Sequence, residues 1–270
     1  MSTSPSVAGW DCHVHVFDAA APVLAGHYRP QTRTLAEIEV RAAAEGVSRL
    51  VLVQPSVYGC DNALLLRALQ AGAGRHRGVA VVDADLAEAQ LDALHAAGVR
   101  GIRFNQVSPV GSSQSPAEAL QRLAPRLLER GWHVQWYVRR GDLPALLPLQ
   151  RETGLVFVLD HLAGIEAGTA AGDPAWDSLA ALADGGAWVK LSGWYRLGAN
   201  PPLFDAMHVP LARVAGLFGG RMVWGSDWPH TSLDPAADLP YAATWRPVPA
   251  VLTAALADAV RREYPLQLYG

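Results

Sequence analysis

Short apolar runs alternate with amphipathic stretches along the whole chain. The runs are rich in Val, Leu and Ile and are nearly continuous, which is typical of parallel strands covered on both faces. We therefore expect a parallel sheet whose strands are separated by helices. The pattern predicts eight strands, at residues 10–16, 49–54, 78–83, 99–105, 133–138, 155–160, 187–191 and 222–226.

A helix is predicted after nearly every strand, with Thr34 as the N-cap of the first. Eight strand and helix units in 270 residues predict a single (β/α)8 TIM barrel that spans residues 1–270 as one domain. An open doubly wound sheet is the alternative, but its Gly-rich phosphate turn is missing after the first strand. The predicted helices are 34–45, 62–73, 87–97, 116–130, 142–153, 174–184, 202–218 and 249–262.

Composition narrows the class of protein. Half of the residues are apolar, 17% are charged and the formal net charge is −3, so no basic surface for nucleic acid or anionic lipid is expected. No signal peptide and no apolar run long enough for a membrane span are visible. Cys12 and Cys60 lack the spacing of a disulfide framework or a zinc ribbon. We expect a cytoplasmic protein with a small-molecule substrate, and a homo-oligomer is compatible with the sequence.

Polar residues at the predicted strand ends indicate a site, because the carboxyl ends of barrel strands converge on one pocket. His13 and His15 alternate with Cys12, so both histidines should share one face while Cys12 faces the other way. His161 follows the sixth strand and Asp227 follows the eighth. Each residue alone has an ordinary structural explanation, such as a loop histidine or a turn-capping aspartate. Their combination is what predicts a catalytic site.

Five segments resemble one known family. They read Val-Gln-Pro-Ser-Val-Tyr-Gly at 53–59, Gly-Val-Arg-Gly-Ile-Arg-Phe-Asn at 98–105, Asp-His-Leu at 160–162, Trp-Val-Lys-Leu-Ser-Gly at 188–193 and Trp-Gly-Ser-Asp-Trp-Pro-His at 224–230. Together with His13-x-His15, they resemble the amidohydrolase superfamily, and within it the branch of lactone hydrolases. The match covers nearly the whole chain in order.

The resemblance implies hydrolysis of a carboxylated cyclic ester. Asp227 would be the general base that activates water, while His13, His15 and His161 would polarise the lactone carbonyl. Arginines grip substrate carboxylates in this family, because a guanidinium binds a carboxylate bidentately. The residues expected to contact the substrate are Arg103, Arg196, Ser56, Tyr28, Asn105 and Gln135.

Two interpretations of the metal requirement are compatible with the sequence. Members with two metals use a lysine on the fourth strand and a histidine on the fifth, where this chain has Arg103, Asn105 and Gln135. A binuclear site is therefore not expected. The resemblance to lactone hydrolases that work without metal implies no metal at all, and arginine would supply the positive charge. A single Zn²⁺ held by His13, His15, His161 and Asp227 is the alternative.

Substrate and reaction also have alternatives. Dicarboxylate-hydrolysing members carry a second arginine in the loop where this chain has Pro109, so a monocarboxylate, sulfonated or sugar lactone is expected. A metal-dependent decarboxylase of the same superfamily also pairs His-x-His with a strand-eight aspartate. A binding protein with a decayed site is the third hypothesis.

Overall fold

Eight parallel strands form the barrel wall in the computed structural model, which describes residues 8–25, 28–107, 115–233 and 239–270. They pair in chain order, each with the next, so the predicted (β/α)8 barrel is confirmed. The strands are β1 (Gly9–Val14), β2 (Val47–Val53), β3 (Arg77–Ala80), β4 (Val99–Asn105), β5 (His133–Tyr137), β6 (Phe157–Leu159), β7 (Trp188–Leu191) and β8 (Met222–Trp224).

The barrel closes through the segment that follows β8. Val14 forms a parallel bridge with Trp228. The amide of His15 donates to the Trp228 carbonyl at 2.9 Å, and the amide of Asp227 donates to the His13 carbonyl at 2.9 Å. These bonds fix Asp227 beside the histidine strand.

Helices cover the outside of the barrel between successive strands. None of the helices in the described residues is both long enough and apolar enough to cross a membrane. The helices are α1 (Leu35–Ala44), α2 (Ala63–Ala71), α3 (Glu88–Ala96), α4 (Pro116–Glu129), α5 (Leu143–Thr153), α6 (Ala175–Asp184), α7 (His208–Phe218), α8 (Pro247–Val251), α9 (Ala254–Arg262) and α10 (Tyr264–Tyr269).

Two predicted helices differ from the observed ones. The helix expected from residue 202 begins only at His208, because Phe204 adopts a left-handed backbone (φ 57°) and a 3₁₀ turn intervenes. The helix expected over 249–262 is broken, because Leu252 is extended and the Thr253 side chain caps a new helix by accepting from the Leu256 amide. Thr34 does cap α1 as predicted, in a capping box with Glu37.

A β-bulge in β1 changes which residues face inward. Asp11 pairs with Leu50 and Val14 with Leu52, so three steps on β1 oppose two on β2. The extra residue shifts the alternation, and Cys12 packs in the interior cluster although His13 points inward as well. The expectation that Cys12 faces away from His13 is therefore wrong. The bulge lets one strand contribute to both an apolar layer and a polar layer.

The lower layer of the barrel interior is apolar. Trp10 and Tyr269 stack there with ring centroids 6.2 Å apart, and Tyr269 also meets His133 edge to face at 5.1 Å. The Tyr269 side chain comes from α10 and is fully buried, so the last helix fills the floor of the barrel. The polar residues of the strand ends lie above this layer.

Candidate active site

A cavity of about 310 Å³ opens at the carboxyl ends of the strands. Eight of the ten predicted site residues line it, and these are His15, Tyr28, Ser56, Arg103, Asn105, His161, Arg196 and Asp227. His13 lies directly beneath them, with its Nε2 atom 3.3 Å from Nε2 of His15. Nine of the ten predicted site residues therefore lie together at this end of the barrel.

Asp227 is held rigidly at the inner wall of the cavity. Its backbone is left-handed (φ 61°), and its side chain is fully buried. The Oδ2 atom accepts hydrogen bonds from the Tyr195 hydroxyl and from Nε of Arg196, both at 2.6 Å. The Oδ1 atom has no hydrogen-bond partner among the described residues. One carboxylate oxygen is thus fixed, while the other remains available.

Three histidines surround the available oxygen. Nε2 of His13 and Nε2 of His15 each lie 3.7 Å from Oδ1 of Asp227, and Nε2 of His161 lies 3.9 Å away. A buried acceptor without a partner is costly unless a small occupant satisfies it. The space between these four atoms therefore suits a water molecule or a cation.

Hydrogen-bond partners define the tautomers of two of these rings. Nδ1 of His15 lies 2.7 Å from the Val53 carbonyl, which can only accept, so Nδ1 carries the hydrogen. Nε2 of a neutral His15 is then an acceptor, and its contact with Nε2 of His13 requires the hydrogen on His13. Nδ1 of His13 is left as an acceptor, and Nζ of Lys190 lies 3.4 Å from it.

Two glycines allow this close assembly. A Cβ at Gly225 would lie 2.5 Å from the His13 Cβ, so only glycine lets the segment after β8 approach β1. A Cβ at Gly193 would lie 2.5 Å from Nδ1 of His161, and Gly193 also has a left-handed backbone (φ 64°). The motifs that contain these glycines place the histidines as much as the histidines' own strands do.

Burial and neighbouring charges set the protonation of the site. Burial alone would raise the pKa of Asp227, but Arg196 and the adjacent histidines hold that pKa well below its usual range. Burial lowers the pKa of His161 to about 4. Burial, with help from Lys190, lowers the pKa of His13 well below its usual value. An ionised aspartate therefore faces at least two neutral imidazoles near neutral pH.

A buried ion cluster lies under the histidines. Nε of Arg103 donates to Oδ2 of Asp160 at 2.8 Å, and Nζ of Lys190 lies 3.4 Å from Oδ1 of Asp160. Lys190 is the only lysine in the sequence, and its side chain is fully buried. Asp160 also lies 3.5 Å from Nδ1 of His13, so one carboxylate contacts both an arginine of the cavity and a histidine of the cluster.

Tyr137 links the two arginines of the cavity. The Arg103 guanidinium lies 5.3 Å from the centre of its ring and the Arg196 guanidinium 5.9 Å, which are cation–π distances. The same ring meets His161 edge to face at 4.7 Å. The guanidiniums are therefore oriented by an aromatic ring as well as by carboxylates.

The remaining predicted residues occupy different positions. Nδ2 of Asn105 donates to the Ser56 hydroxyl at 2.6 Å on one wall of the cavity, and the half-exposed Tyr28 lies at the rim. Gln135 does not line the cavity; its side chain is fully buried and accepts from Nζ of Lys190 at 2.9 Å. The loop around Pro109, where a second arginine was sought, lies outside the described residues.

Sequence reasoning missed two residues of the site. Lys190 was not among the predicted site residues, but it points into the barrel, in register with the inward face of β7. Tyr195 was not singled out, although it directly precedes Arg196 and bonds the same carboxylate oxygen. The alternation of β7 could have indicated Lys190, whereas the 3₁₀ turn that aims Tyr195 has no clear sequence signal.

The site could hold one metal ion. His13, His15 and Asp227 form one group of ligand atoms close enough to share an ion, and His13, Asp160 and His161 form another. Ligands about 2.0–2.2 Å from a tetrahedral Zn²⁺ lie about 3.3–3.6 Å apart, close to the 3.3 and 3.7 Å observed in the first group. The unpartnered Oδ1 of Asp227 is also suitable as a ligand. Two nitrogens and one oxygen fit zinc.

The fold is a (β/α)8 barrel, and histidines and an aspartate meet at the ends of its strands. This combination is typical of barrel enzymes that catalyse hydrolysis. The sequence profile of the family described as Amidohydrolase matches residues 10–270, and the chain belongs to this family of enzymes. The family resemblance and the prediction of an enzyme are thereby confirmed.

Characterised relatives share most of the chain. A 2-pyrone-4,6-dicarboxylate hydrolase of Comamonas testosteroni is 32% identical over 83% of this chain and 77% of its own. A 4-sulfomuconolactone hydrolase of Hydrogenophaga intermedia is 27% identical over 82% of this chain and 75% of its own. A solved Pseudomonas putida structure, provisionally named 2-pyrone-4,6-dicarboxylic acid hydrolase, covers 98% of both chains with a TM-score of 0.87 and 30% identity.

Proposed function

We propose that the protein hydrolyses a lactone that carries a carboxylate. The observation that carries this proposal is the unpartnered Oδ1 of Asp227, which is buried and faces three histidines beside a cavity with two arginines. That arrangement suits a water molecule between a base and a polarised carbonyl. Relatives named as hydrolases of a pyrone dicarboxylate and of a sulfomuconolactone support the substrate class.

In the proposed reaction, Asp227 accepts a proton from water as the water oxygen bonds to the lactone carbonyl carbon. The carbonyl oxygen becomes an oxyanion, and the ring C–O bond then breaks to leave a carboxylic acid, which releases its proton to solvent, and an alkoxide or enolate oxygen. The proton held by Asp227 returns to that leaving oxygen. Atoms and charge balance without any further reactant.

His161 is the best-placed donor to the oxyanion. Its Nδ1 lies 2.9 Å from the Ser192 hydroxyl, and with Ser192 as donor the neutral ring carries its hydrogen on Nε2, towards the cavity. His15 does not play this part in the proposal, because its Nδ1 donates to the Val53 carbonyl and its Nε2 accepts from Nε2 of His13. The three histidines therefore have different functions in this proposal, and His13 and His15 hold the water and Asp227 in position.

Charge favours a substrate with one carboxylate. Three cations, Lys190, Arg103 and Arg196, face two carboxylates, Asp160 and Asp227, which leaves one uncompensated positive charge in the site. One substrate carboxylate against Arg103 would neutralise it. Arg196 is less free than expected, because its Nε already binds Asp227.

A Zn²⁺ held by His13, His15 and Asp227 would supply Lewis-acid polarisation of the carbonyl or of water when bound. We propose that the chain's own residues are sufficient, since arginines already supply positive charge at the cavity. The metal-dependent decarboxylase is the alternative that the same ligand group supports.

The test is turnover of a lactone panel by protein treated exhaustively with chelator, with the metal content measured. The panel contains 2-pyrone-4,6-dicarboxylate, muconolactones with and without a sulfonate, and aldonolactones. Retained turnover that disappears in Asp227→Asn supports the proposal. Turnover lost on chelation and restored by Zn²⁺ would make His13, His15 and Asp227 metal ligands. If the metal-loaded protein hydrolyses no lactone of the panel, the result would favour the decarboxylase.

A further inference from the structure

A second cavity, of about 570 Å³, lies beside the catalytic cavity. The two share Phe17, Tyr28 and Thr231 as a common wall. The second cavity is enclosed by the loop before α1, the exposed side of α1 and the segment after β8. None of the catalytic histidines, and neither Arg103 nor Arg196, is among its described lining residues.

Three arginines and one glutamate are the charged residues in the described lining of this second cavity. Arg29, Arg33 and Arg41 all line it, and no carboxylate of a described residue lies within 4.0 Å of their nitrogens. Arg33 donates only to neutral groups, the Thr32 carbonyl and the Gln31 amide oxygen. Unlike the arginines of the catalytic cavity, these three have no ion pair within the part of the chain that the structure describes.

The one acidic residue in the described lining is already engaged. Oε2 of Glu37 accepts from the Thr34 amide at 2.6 Å and from the Thr34 hydroxyl at 3.2 Å, in the capping box of α1. Its charge stabilises the helix N-terminus. The lining therefore retains a net positive charge that a bound anion could neutralise.

A buried imidazole adds an unsatisfied hydrogen-bonding group. His230 lines the cavity, is only 8% exposed, and its Nε2 has no partner among the described residues. The ring bonds the Ser226 backbone, and the Ser226 amide already donates to Oδ1 of Asp11, so the Ser226 carbonyl is the acceptor. Because Nε2 has no partner among the described residues, Nδ1 is the donor. In the neutral ring Nε2 is then an acceptor, which needs a hydroxyl or another donor.

We propose that this cavity binds a small organic carboxylate that also carries a hydroxyl group. The arginines would hold the carboxylate and His230 Nε2 would accept from the hydroxyl. The site is separate from the catalytic one and does not depend on the proposed hydrolysis. A ring-opened lactone is itself a hydroxy acid, so a reaction product would belong to the ligand class if that proposal holds.

The experiment is isothermal titration of the intact protein with malate and with succinate, which differ by one hydroxyl. We expect malate to bind and succinate to bind about tenfold more weakly, the worth of one hydrogen bond to a buried group. Arg41→Gln should weaken malate binding by about tenfold or more, because a charged hydrogen bond is lost. Arg67→Gln, at an exposed arginine of α2, is the matched control and should bind like the parent.

A second set of variants distinguishes the two cavities. Arg103→Gln should leave malate binding at the second cavity intact, and Arg29→Gln combined with Arg41→Gln should remove it. Malate binding that survives the double variant but is lost in Arg103→Gln would place malate in the catalytic cavity and overturn the proposal. Absence of malate binding to the folded parent protein would overturn it too. Neither result would bear on lactone turnover, which the panel measures separately.

Discussion

Nζ of Lys190 and Nδ1 of His13 lie 3.4 Å apart inside the barrel, with both side chains out of contact with solvent. The ammonium can only donate, so it favours the His13 tautomer with its hydrogen on Nε2. That hydrogen points to Nε2 of His15, at 3.3 Å. A nitrogen that carries a hydrogen cannot bind a metal, so Lys190 opposes metal binding through its hydrogen bond and its charge.

Lys190→Met should therefore bind Zn²⁺ more tightly than the parent. Without the ammonium, Nδ1 of His13 can donate to Asp160, 3.5 Å away, and Nε2 becomes a free ligand. Groups that orient a ligating histidine change metal affinity by about 10–100-fold, so a gain of about tenfold or more is expected. Competition with a chromogenic chelator measures it. Lys190→Arg keeps the charge and serves as the control; equal zinc affinity of the methionine variant and the parent would show that Lys190 does not govern His13.

The Asp227→Asn variant should lose most of its catalytic activity but still bind the substrate. An amide cannot accept the proton of water, and general-base catalysis is worth about 10²–10⁴-fold. We expect kcat to fall by that order with KM little changed. Steady-state kinetics on the best lactone measures it, with the exposed Asp184→Asn as the control. An unchanged kcat would assign the base to another residue.

Arg196→Gln should move the acid limb of the pH–rate profile to higher pH. Burial alone raises the pKa of Asp227, and Arg196 is the largest influence that holds this pKa below its usual range. Because the folded pKa is depressed, the stabilisation of the carboxylate is present above the unfolded pKa and is lost as pH falls through the folded one. Removing the guanidinium raises the folded pKa, so protonation and loss of activity begin at higher pH.

The measurement is kcat/KM against pH for chelator-treated protein. The exposed Arg151→Gln should keep the parent profile. Identical acid limbs in parent and Arg196→Gln would mean that Asp227 does not produce the limb.

Tyr269→Ala should destabilise the barrel by about 3–5 kcal/mol, the range for removing a large buried ring. The ring fills the barrel floor between Trp10 and His133, and its loss leaves a cavity that the closed strands cannot collapse into. Urea unfolding followed by circular dichroism measures the difference. Tyr269→Phe keeps the ring and should stay close to the parent. A small effect of the alanine variant would show that the floor repacks.

The periodic parts of the fold were predictable because they follow from local rules. β4 has the predicted bounds, Val99–Asn105, since Gly98 precedes it and a polar segment rich in Ser and Gly follows it in the sequence. Thr34 caps α1 because capping depends on a few adjacent residues. The site cluster followed from barrel geometry, which brings strand ends together wherever they lie in the sequence. These features need no knowledge of long-range contacts.

The unpredicted parts depend on contacts between distant segments. The β1 bulge that turns Cys12 inward arises from pairing with β2, which a period-2 pattern cannot reveal. Gln135 is kept out of the cavity lining by its bond to Lys190 on β7, two strands away from β5. Tyr195 bonds Asp227 from 32 residues away, by way of a short turn. Each case is decided by register or loop geometry rather than composition.

Chemical modification of Lys190 can also report on opening of the barrel. As the only lysine of the sequence, it carries the only side-chain amine, and that amine lies inside the closed barrel. Acylating reagents can reach it only when the strands separate, so the rate of its acylation measures how often the barrel opens. Ligands that hold the barrel closed should slow the acylation of Lys190. Mass spectrometry of the one peptide that contains Lys190 would then detect ligand binding to the protein without mutating it.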